Sequence, residues 1–175
     1  WEGNTLIILI ILNILRFNFN DFVKRIENLK PLKGRGEKIK IFKNKKSFFL
    51  IDESYNSSPY TLKHSIINAN KTLKNNQKLV LVIGDMLELG QFSEELHLSI
   101  LETVKKVSPK LLVTVGSFSK IITDNAKKNF KAFHCKTYHR VYERLIEELG
   151  DNDIVMIKGS NSINLSKICE RLKKK

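Results

Sequence analysis

Cysteine is scarce in this 175-residue chain: Cys135 and Cys169 stand alone, with no CxxC pair and no Cys/His ligand spacing. A disulfide framework and a cysteine-based metal site are thereby excluded, and both thiols read as reduced core residues of a cytosolic protein. His64, His97, His134 and His139 form no HExxH or similar array, so no structural metal site is expected. No apolar run is long enough to cross a bilayer. Residues 6–12 are continuously apolar, but Asn13 and Arg16 interrupt the chain just beyond them, and a crossing needs roughly 20 residues. No basic segment precedes the run and no small-residue cleavage site comes after it, which argues against a signal peptide. Arginine-rich stripes with interleaved aromatics are absent too.

What is present is a globular composition. The chain is 42% hydrophobic with ten Phe, enough for one domain with a real core and a little more. Lys and Arg number 31 against 18 Asp and Glu, a formal net charge of +13. The basic residues are scattered Lys, densest at 171–175. Charge of this kind gives non-specific attraction to anions, and the expected beneficiary is an acidic, phosphorylated substrate in preference to a specific nucleic acid.

Residues 4–17 predict a helix buried over most of its surface, packed against something this chain is not expected to contain. Residues 21–29 predict a short amphipathic helix, with Phe22, Ile26 and Leu29 on one face and Asp21 as N-cap. One Pro and two Gly then break the chain across 30–36, which reads as a domain linker. Within it, Arg35 is either a solvated loop residue or an Arg on a backbone free to approach a phosphate. Strands are predicted at 38–42 and 47–51 around a polar turn at 43–46, then a helix at 59–73 with Leu62, Ile66, Ala69 and Leu73 near helical spacing. The rest alternates: strands at 79–83, 111–115, 131–136 and 154–157, and helices at 93–107, 118–128, 141–149 and 163–172. Such alternation with continuous apolar strands implies an α/β fold, a mainly parallel sheet with helices on both faces and right-handed crossovers.

The stretch 48–59 passes from a buried-strand pattern through Asp52, Glu53 and small polar residues into a helix start, with Ser58 as N-cap and Pro59 at the first helical position. Turn chemistry alone accounts for many such loops. Here Gly84-Asp85, Gly116-Ser117 and Lys158-Gly159-Ser160 come after other strands at the same expected edge, making a carboxyl-end crevice where α/β sheets take ligands.

In that order and spacing, Asp52 to Pro59 (DESYNSSP), Gly84 to Gly90 (GDMLELG) with His97 after it, Val115-Gly116, and Lys158-Gly159-Ser160 resemble the Rossmann-like C-terminal domain of the Mur ligases. Residues 1–35 resemble the last helices and Gly-Arg element of that family's central ATPase domain, so domains are expected at 1–35 and 36–175. The members most resembled join D-alanyl-D-alanine to UDP-N-acetylmuramoyl-tripeptide in cytoplasmic peptidoglycan precursor synthesis. The resemblance implies use of ATP and Mg²⁺ to convert a carboxylate to an acyl phosphate, which an amine attacks to give an amide, ADP and phosphate. Phosphorylation supplies the leaving group, and cations hold the accumulating charge.

The resemblance also implies roles. Arg35 and Asp52 match the nucleotide-contacting Arg and Asp, with Tyr55 and Asn56 beside them. Glu53 stands where some members have a second Asp, so the choice between Asp52 and Glu53 is open. Asp85, Glu88, His97, Gly116, Ser117, Lys158, Gly159 and Ser160 lie where the family receives D-alanyl-D-alanine. Plainer readings stand beside these: His97 as partner of the preceding loop, not a base, Asp85 and Glu88 as holders of backbone N–H groups, and Lys158 as a strand-end charge. Asn161 replaces an Arg found in many members. The GKT P-loop, the metal-binding Glu and His, the modified lysine and the UDP-binding domain are absent from this sequence. A C-terminal piece is therefore expected, inactive alone, with the remaining ligase domains as partners and Mg²⁺ held mainly by them. The rival readings are a free-standing nucleotide- or dipeptide-binding module and a basic nucleic-acid-binding α/β domain.

Overall fold

The computed structural model describes residues 2–26, 31–126 and 129–174. The expected helix ends at Leu29 and Lys128, the linker start at Lys30, and Lys175 lie outside the described residues. The chain forms two compact units, Trp1–Pro31 and Leu32–Lys175.

The first unit holds α1 (Glu2–Ile14) and α2 (Phe19–Ile26). A left-handed residue stops α1: Arg16 has φ 55, its N–H donates to the Asn13 carbonyl, and the Phe17 N–H donates to Leu12, the pattern of a Schellman cap. The described residues do not supply the cover expected for this helix: Leu6, Ile7, Ile10, Ile11 and Ile14 are all about half exposed or more. Consecutive apolar residues cover every side of a helix, and one neighbouring helix covers only one side. The cap of α2 is Asn18, not Asp21: the Asn20 N–H donates to Asn18 Oδ1 at 2.9 Å, so the helix begins before the expected cap. Among the described residues no helix is long and apolar enough to cross a membrane.

The second unit is built on a six-stranded sheet in the order β1-β2-β6-β3-β4-β5. Its strands are β1 (Glu37–Lys43), β2 (Lys46–Glu53), β3 (Leu79–Gly84), β4 (Leu111–Val115), β5 (Ala132–Cys135) and β6 (Ile154–Lys158). Only β1 runs antiparallel; the other pairings are parallel, as the alternating pattern predicts. The β1–β2 turn has two residues, Asn44 and Lys45, both with positive φ (49 and 63), which is the geometry of a type I′ hairpin turn.

Two helical layers cover the sheet. On one face, α3 (Pro59–Lys71), α5 (Ile100–Val107) and α6 (Lys120–Ala126) pack Leu62, Ile66, Ile100, Val104 and Ile122 onto Leu81, Ile83 and Met156. On the other, α7 (Val141–Glu148) and α8 (Ser166–Lys173) pack Val141, Leu145, Ile168 and Leu172 onto Phe48, Leu50, Val82 and Ile157.

Two expected helices are divided or shortened. The single helix at 93–107 is α4 (Ser93–Leu98) and α5, preceded by a 3₁₀ turn at Gly90–Phe92. At the join the Ser99 hydroxyl donates to the Leu96 carbonyl at 2.8 Å, the local competition that bends helices at serine. The last helix starts late, at Ser166, because Asn164 is left-handed with φ 61 after a 3₁₀ turn at Asn161–Ile163. The β1–β2 turn yields a prediction. Lys45→Gly removes the left-handed strain of a side-chain residue and should stabilise the domain by about 0.5 kcal/mol, read as a higher urea midpoint at unchanged slope.

Candidate functional site at the carboxyl ends of the strands

The parallel strands β2, β6, β3 and β4 end on one edge, and the segments beyond them are tied together by hydrogen bonds. Asp85, immediately after β3, is buried. Its Oδ2 accepts the Ser117 and Phe118 N–H groups at 2.7 and 3.2 Å, and its Oδ1 accepts the Ser119 N–H at 2.7 Å. Its N–H donates to Val115 and its carbonyl accepts the Ser160 N–H. The Ser160 hydroxyl in turn accepts the Leu87 N–H at 2.9 Å. Gly116 has φ 117, and a Cβ there would overlap the Asp85 carboxylate. Gly84 and Gly159 approach so closely that a Cβ on Gly159 would lie 2.9 Å from the Gly84 Cα.

His97 from α4 is fully buried. Its Nε2 accepts the Met86 N–H at 2.9 Å, so the ring proton is assigned to Nδ1, which lies 2.6 Å from the Ser93 carbonyl it donates to. Phe118 stacks on the ring at 5.7 Å. Both nitrogens are therefore engaged, Nδ1 fixing the ring on α4 and Nε2 holding the 85–90 loop. Glu88, on that loop, is exposed and left-handed with φ 64, and its carboxylate makes no hydrogen bond or ion pair among the described residues.

A second group surrounds the end of β2. Strand alternation turns Asp52 and Glu53 to opposite faces. Asp52 points into the α8 layer, where its Oδ1 accepts the Ser54 hydroxyl and N–H at 2.7 and 3.2 Å, and its Oδ2 accepts Lys173 Nζ at 3.0 Å. Lys173 also reaches Glu37 at 3.2 Å. Burial pushes the Asp52 carboxyl up, but the Ser54 hydroxyl and N–H and the Lys173 ammonium outweigh it and hold it below its ordinary value. Burial works against the Lys173 charge, yet Asp52 and Glu37 raise it above the usual ammonium value. The Cys169 thiol beside Asp52 is pushed up, first by burial and then by that carboxylate.

Glu53 instead faces α3. Its Oε2 accepts Ser65 Oγ and Lys158 Nζ, each at 3.0 Å. Lys158 is 4% exposed and also donates to the Asn56 carbonyl at 2.9 Å, so two of its three donors are engaged. The structure thus joins Lys158 to the 53–56 loop rather than to Asp85 and His97. At the start of α3, Ser58 Oγ accepts the Thr61 N–H while Thr61 Oγ1 accepts the Ser58 N–H, a capping box. The preceding Ser57 is 6% exposed, and its hydroxyl has no hydrogen-bond partner. An orphaned hydroxyl is costly to bury, and here it sits at the positive end of a helix. Nothing in the sequence marks Ser57, because serine is ordinary in a turn; only its burial singles it out.

Gly34-Arg35-Gly36 is fastened alongside. The Gly36 N–H donates to the Asp52 carbonyl at 2.8 Å, and the Tyr55 N–H donates to the Gly34 carbonyl at 3.1 Å. Arg35 lays its guanidinium 4.1 Å from the half-exposed Tyr55 ring, a cation–π contact. The arrangement suits anion binding: a stacked Arg, a buried Lys with a spare donor, a free hydroxyl and a helix N-terminus converge beside a loop held by Asp85.

Residues 34–161 match the protein family described as "Mur ligase, glutamate ligase domain". The chain belongs to the Mur ligase family. The UDP-N-acetylmuramoyl-tripeptide–D-alanyl-D-alanine ligases of Bacillus subtilis and Rickettsia prowazekii are 26% and 27% identical over 83% and 93% of this chain, which spans 32% and 35% of them. The MurF ligase from Thermotoga maritima, in a structure complexed with ADP, matches with TM-score 0.76 and 20% identity over 94% of this chain and 36% of its own. MurF from Acinetobacter baumannii matches with TM-score 0.74 and 25% identity over 92% of this chain and 35% of its own. This Mur ligase chain therefore spans about a third of the length of these relatives.

The Asp52–Lys173 pair sets a pH dependence. Stability from Asp52 is present above the ordinary carboxylate range and is lost as pH falls through its depressed folded value. That from Lys173 is present below the ordinary ammonium range and is lost as pH rises through its raised value. Lys173→Met should cost about 2 kcal/mol at neutral pH, since it leaves a buried carboxylate with only Ser54. The difference from wild type should shrink below about pH 4 and above about pH 10.5, as measured by urea unfolding across pH.

Proposed function

We propose that this chain is the C-terminal part of an ATP-dependent ligase that adds D-alanyl-D-alanine to UDP-N-acetylmuramoyl-tripeptide in cytoplasmic peptidoglycan precursor synthesis. The observation that carries the proposal is the crevice of anion-binding groups at the strand ends, on a domain whose similar relatives bear that ligase name. ATP supplies the phosphoryl group that turns a carboxylate into an electrophile. The residues here bind and orient.

On this reading, Arg35 lies over Tyr55 at the nucleotide, with Asn56 beside it. Glu53 is the better acid for that contact than Asp52, whose oxygens are taken by Ser54 and Lys173. The Ser57 hydroxyl and the spare Lys158 N–H receive the dipeptide carboxylate at the N-terminus of α3. Glu88, the free acid on the opposite loop, receives the incoming ammonium. Asp85, His97, Gly116, Ser117, Gly159 and Ser160 form the frame for that pocket. Residues 1–35 are the end of a central ATPase domain and 36–175 the accepting domain, with the remaining ligase domains as partners. Among the described residues no three His, Cys, Asp or Glu side chains are gathered to hold a metal. The Mg²⁺ ligands belong to the remaining domains on this reading.

Three outcomes test the proposal. The isolated chain should release no phosphate above blank with ATP, tripeptide substrate and D-alanyl-D-alanine; clear turnover would overturn the assignment as an incomplete part. In the ligase containing this chain, Ser57→Ala should raise the KM for D-alanyl-D-alanine about tenfold, roughly 1.4 kcal/mol, with kcat little changed. Arg35→Ala should act the other way, lowering kcat by about 10²-fold with little effect on dipeptide affinity. Arg35→Lys should restore little, because an ammonium lacks the planar fork that stacks and bridges. A kcat within twofold of wild type for Arg35→Ala would remove Arg35 from the site.

A further inference from the structure

We propose that the open face of β1, together with the tip of the β1–β2 hairpin, is a membrane-contact surface that takes the anionic headgroups of phospholipids. This surface is independent of the ligase reading and runs from the β1 residue paired with Ile51 away from the strand-end crevice to the hairpin tip.

Strand alternation puts Lys38, Lys40 and Phe42 on one face of the outermost strand, in register with Ile51, Phe49 and Ser47 of β2. The opposite face carries Ile39 and Ile41 into the core against α7 and α8. On the Lys face the covering helix is α3, which packs over β3 and β6 and leaves the edge strand open. Lys38, Lys40 and Phe42 are all exposed, Phe42 by 71%. No acid within ion-pair distance faces Lys38 or Lys40 among the described residues. Glu37 points to the other face and meets Lys173, Glu53 holds Lys158, and Asp151, near the tip, accepts the Ser47 N–H. Lys45 projects from the turn itself. Lys43 and Lys46 reach back from the tip, donating to the Lys174 and Leu149 carbonyls.

The result is a row of uncompensated ammonium groups ending in a protruding phenyl ring. The Lys38 ammonium lies 5.2 Å from the Phe49 ring and the Lys40 ammonium 5.1 Å from the Phe42 ring, so cations and aromatic surface stand side by side on this face. An apolar wedge flanked by cations is what an anionic bilayer surface recognises: the ring enters the headgroup layer and the lysines meet phosphates. A single-stranded nucleic acid fits less well, because it needs successive free ring faces. Phe49 is half-buried and lies beneath both Lys38 and Lys40, so Phe42, strongly exposed with Lys40 beside its ring, is the one protruding ring of this face.

The test is flotation of the 175-residue chain with vesicles of phosphatidylcholine alone or mixed with phosphatidylglycerol. Binding should require phosphatidylglycerol and fall steeply with added salt. Lys38→Glu with Lys40→Glu should weaken it tenfold or more, and Phe42→Ser several-fold, with circular dichroism unchanged. Helix α1 is identical in every variant, so adhesion through its apolar surface would appear as a residue common to all of them and to phosphatidylcholine alone. Equal binding by wild type and variants, or binding indifferent to phosphatidylglycerol, would overturn the proposal. So would capture of a single-stranded oligonucleotide in preference to vesicles with the same sensitivity to these substitutions.

Discussion

The strand-end region depends on one carboxylate. Asp85 gathers three consecutive N–H groups at the entrance to α6, and its own backbone bridges β4 and the segment after β6. Consecutive amides that point one way leave a concentration of positive charge, and a buried carboxylate is the economical way to satisfy it. The glycines are a consequence. Gly116 is left-handed and bare because the carboxylate occupies the volume a Cβ would take, and Gly84 and Gly159 are bare because β3 and β6 converge at the same point. Asp85 is thus an internal anion of the fold, and it occupies the β4–α6 turn that an exogenous anion would otherwise claim.

A second constraint is the two-residue period of β2. One step along the strand separates Asp52, which closes the α8 layer through Lys173, from Glu53, which closes the α3 layer through Lys158. Two acids adjacent in sequence therefore act in different dielectric surroundings. The first is sealed and tied to the C-terminal helix. The second lies at the mouth of the crevice, in contact with the loop that carries Asn56 and Ser57. Asp52-Glu53 is accordingly two elements, one tied to the α8 layer and one tied to the 53–56 loop and α3.

The architecture was legible because its signals are periodic. Continuous apolar strands, alternating helices and Gly or polar residues at the strand ends specify a parallel α/β sheet and the edge on which its loops gather. The Ser58-Pro59 helix start was legible because capping is local. What escaped were properties that exist only across the fold. Lys173 lies 121 residues from Asp52 and carries no local mark. Ser57 looks like any turn serine until its hydroxyl is found buried and unpaired. The breaks at Ser99 and Asn164 rest on single side-chain or left-handed backbone choices, which hydrophobic periodicity does not register. For α1 the sequence states only half of the matter: an all-round apolar helix predicts a buried environment, and nothing in the sequence states which polypeptide provides it.

The burial of His97 bears on what chemistry the domain can contribute. A ring that accepts from Met86 through Nε2 and donates from Nδ1 to Ser93 has both nitrogens engaged. It therefore has no lone pair to offer a reacting amine. Asp85 is likewise consumed, and two of the three Lys158 donors are engaged. The groups left over, Ser57 Oγ, one Lys158 N–H, Glu88 and the edge of Arg35, are suited to gripping charged ends of a ligand and unsuited to forming or breaking bonds. On the proposed reading, a domain so equipped acts by concentrating and orienting a nucleophile, and the phosphoryl chemistry falls to the remaining ligase domains.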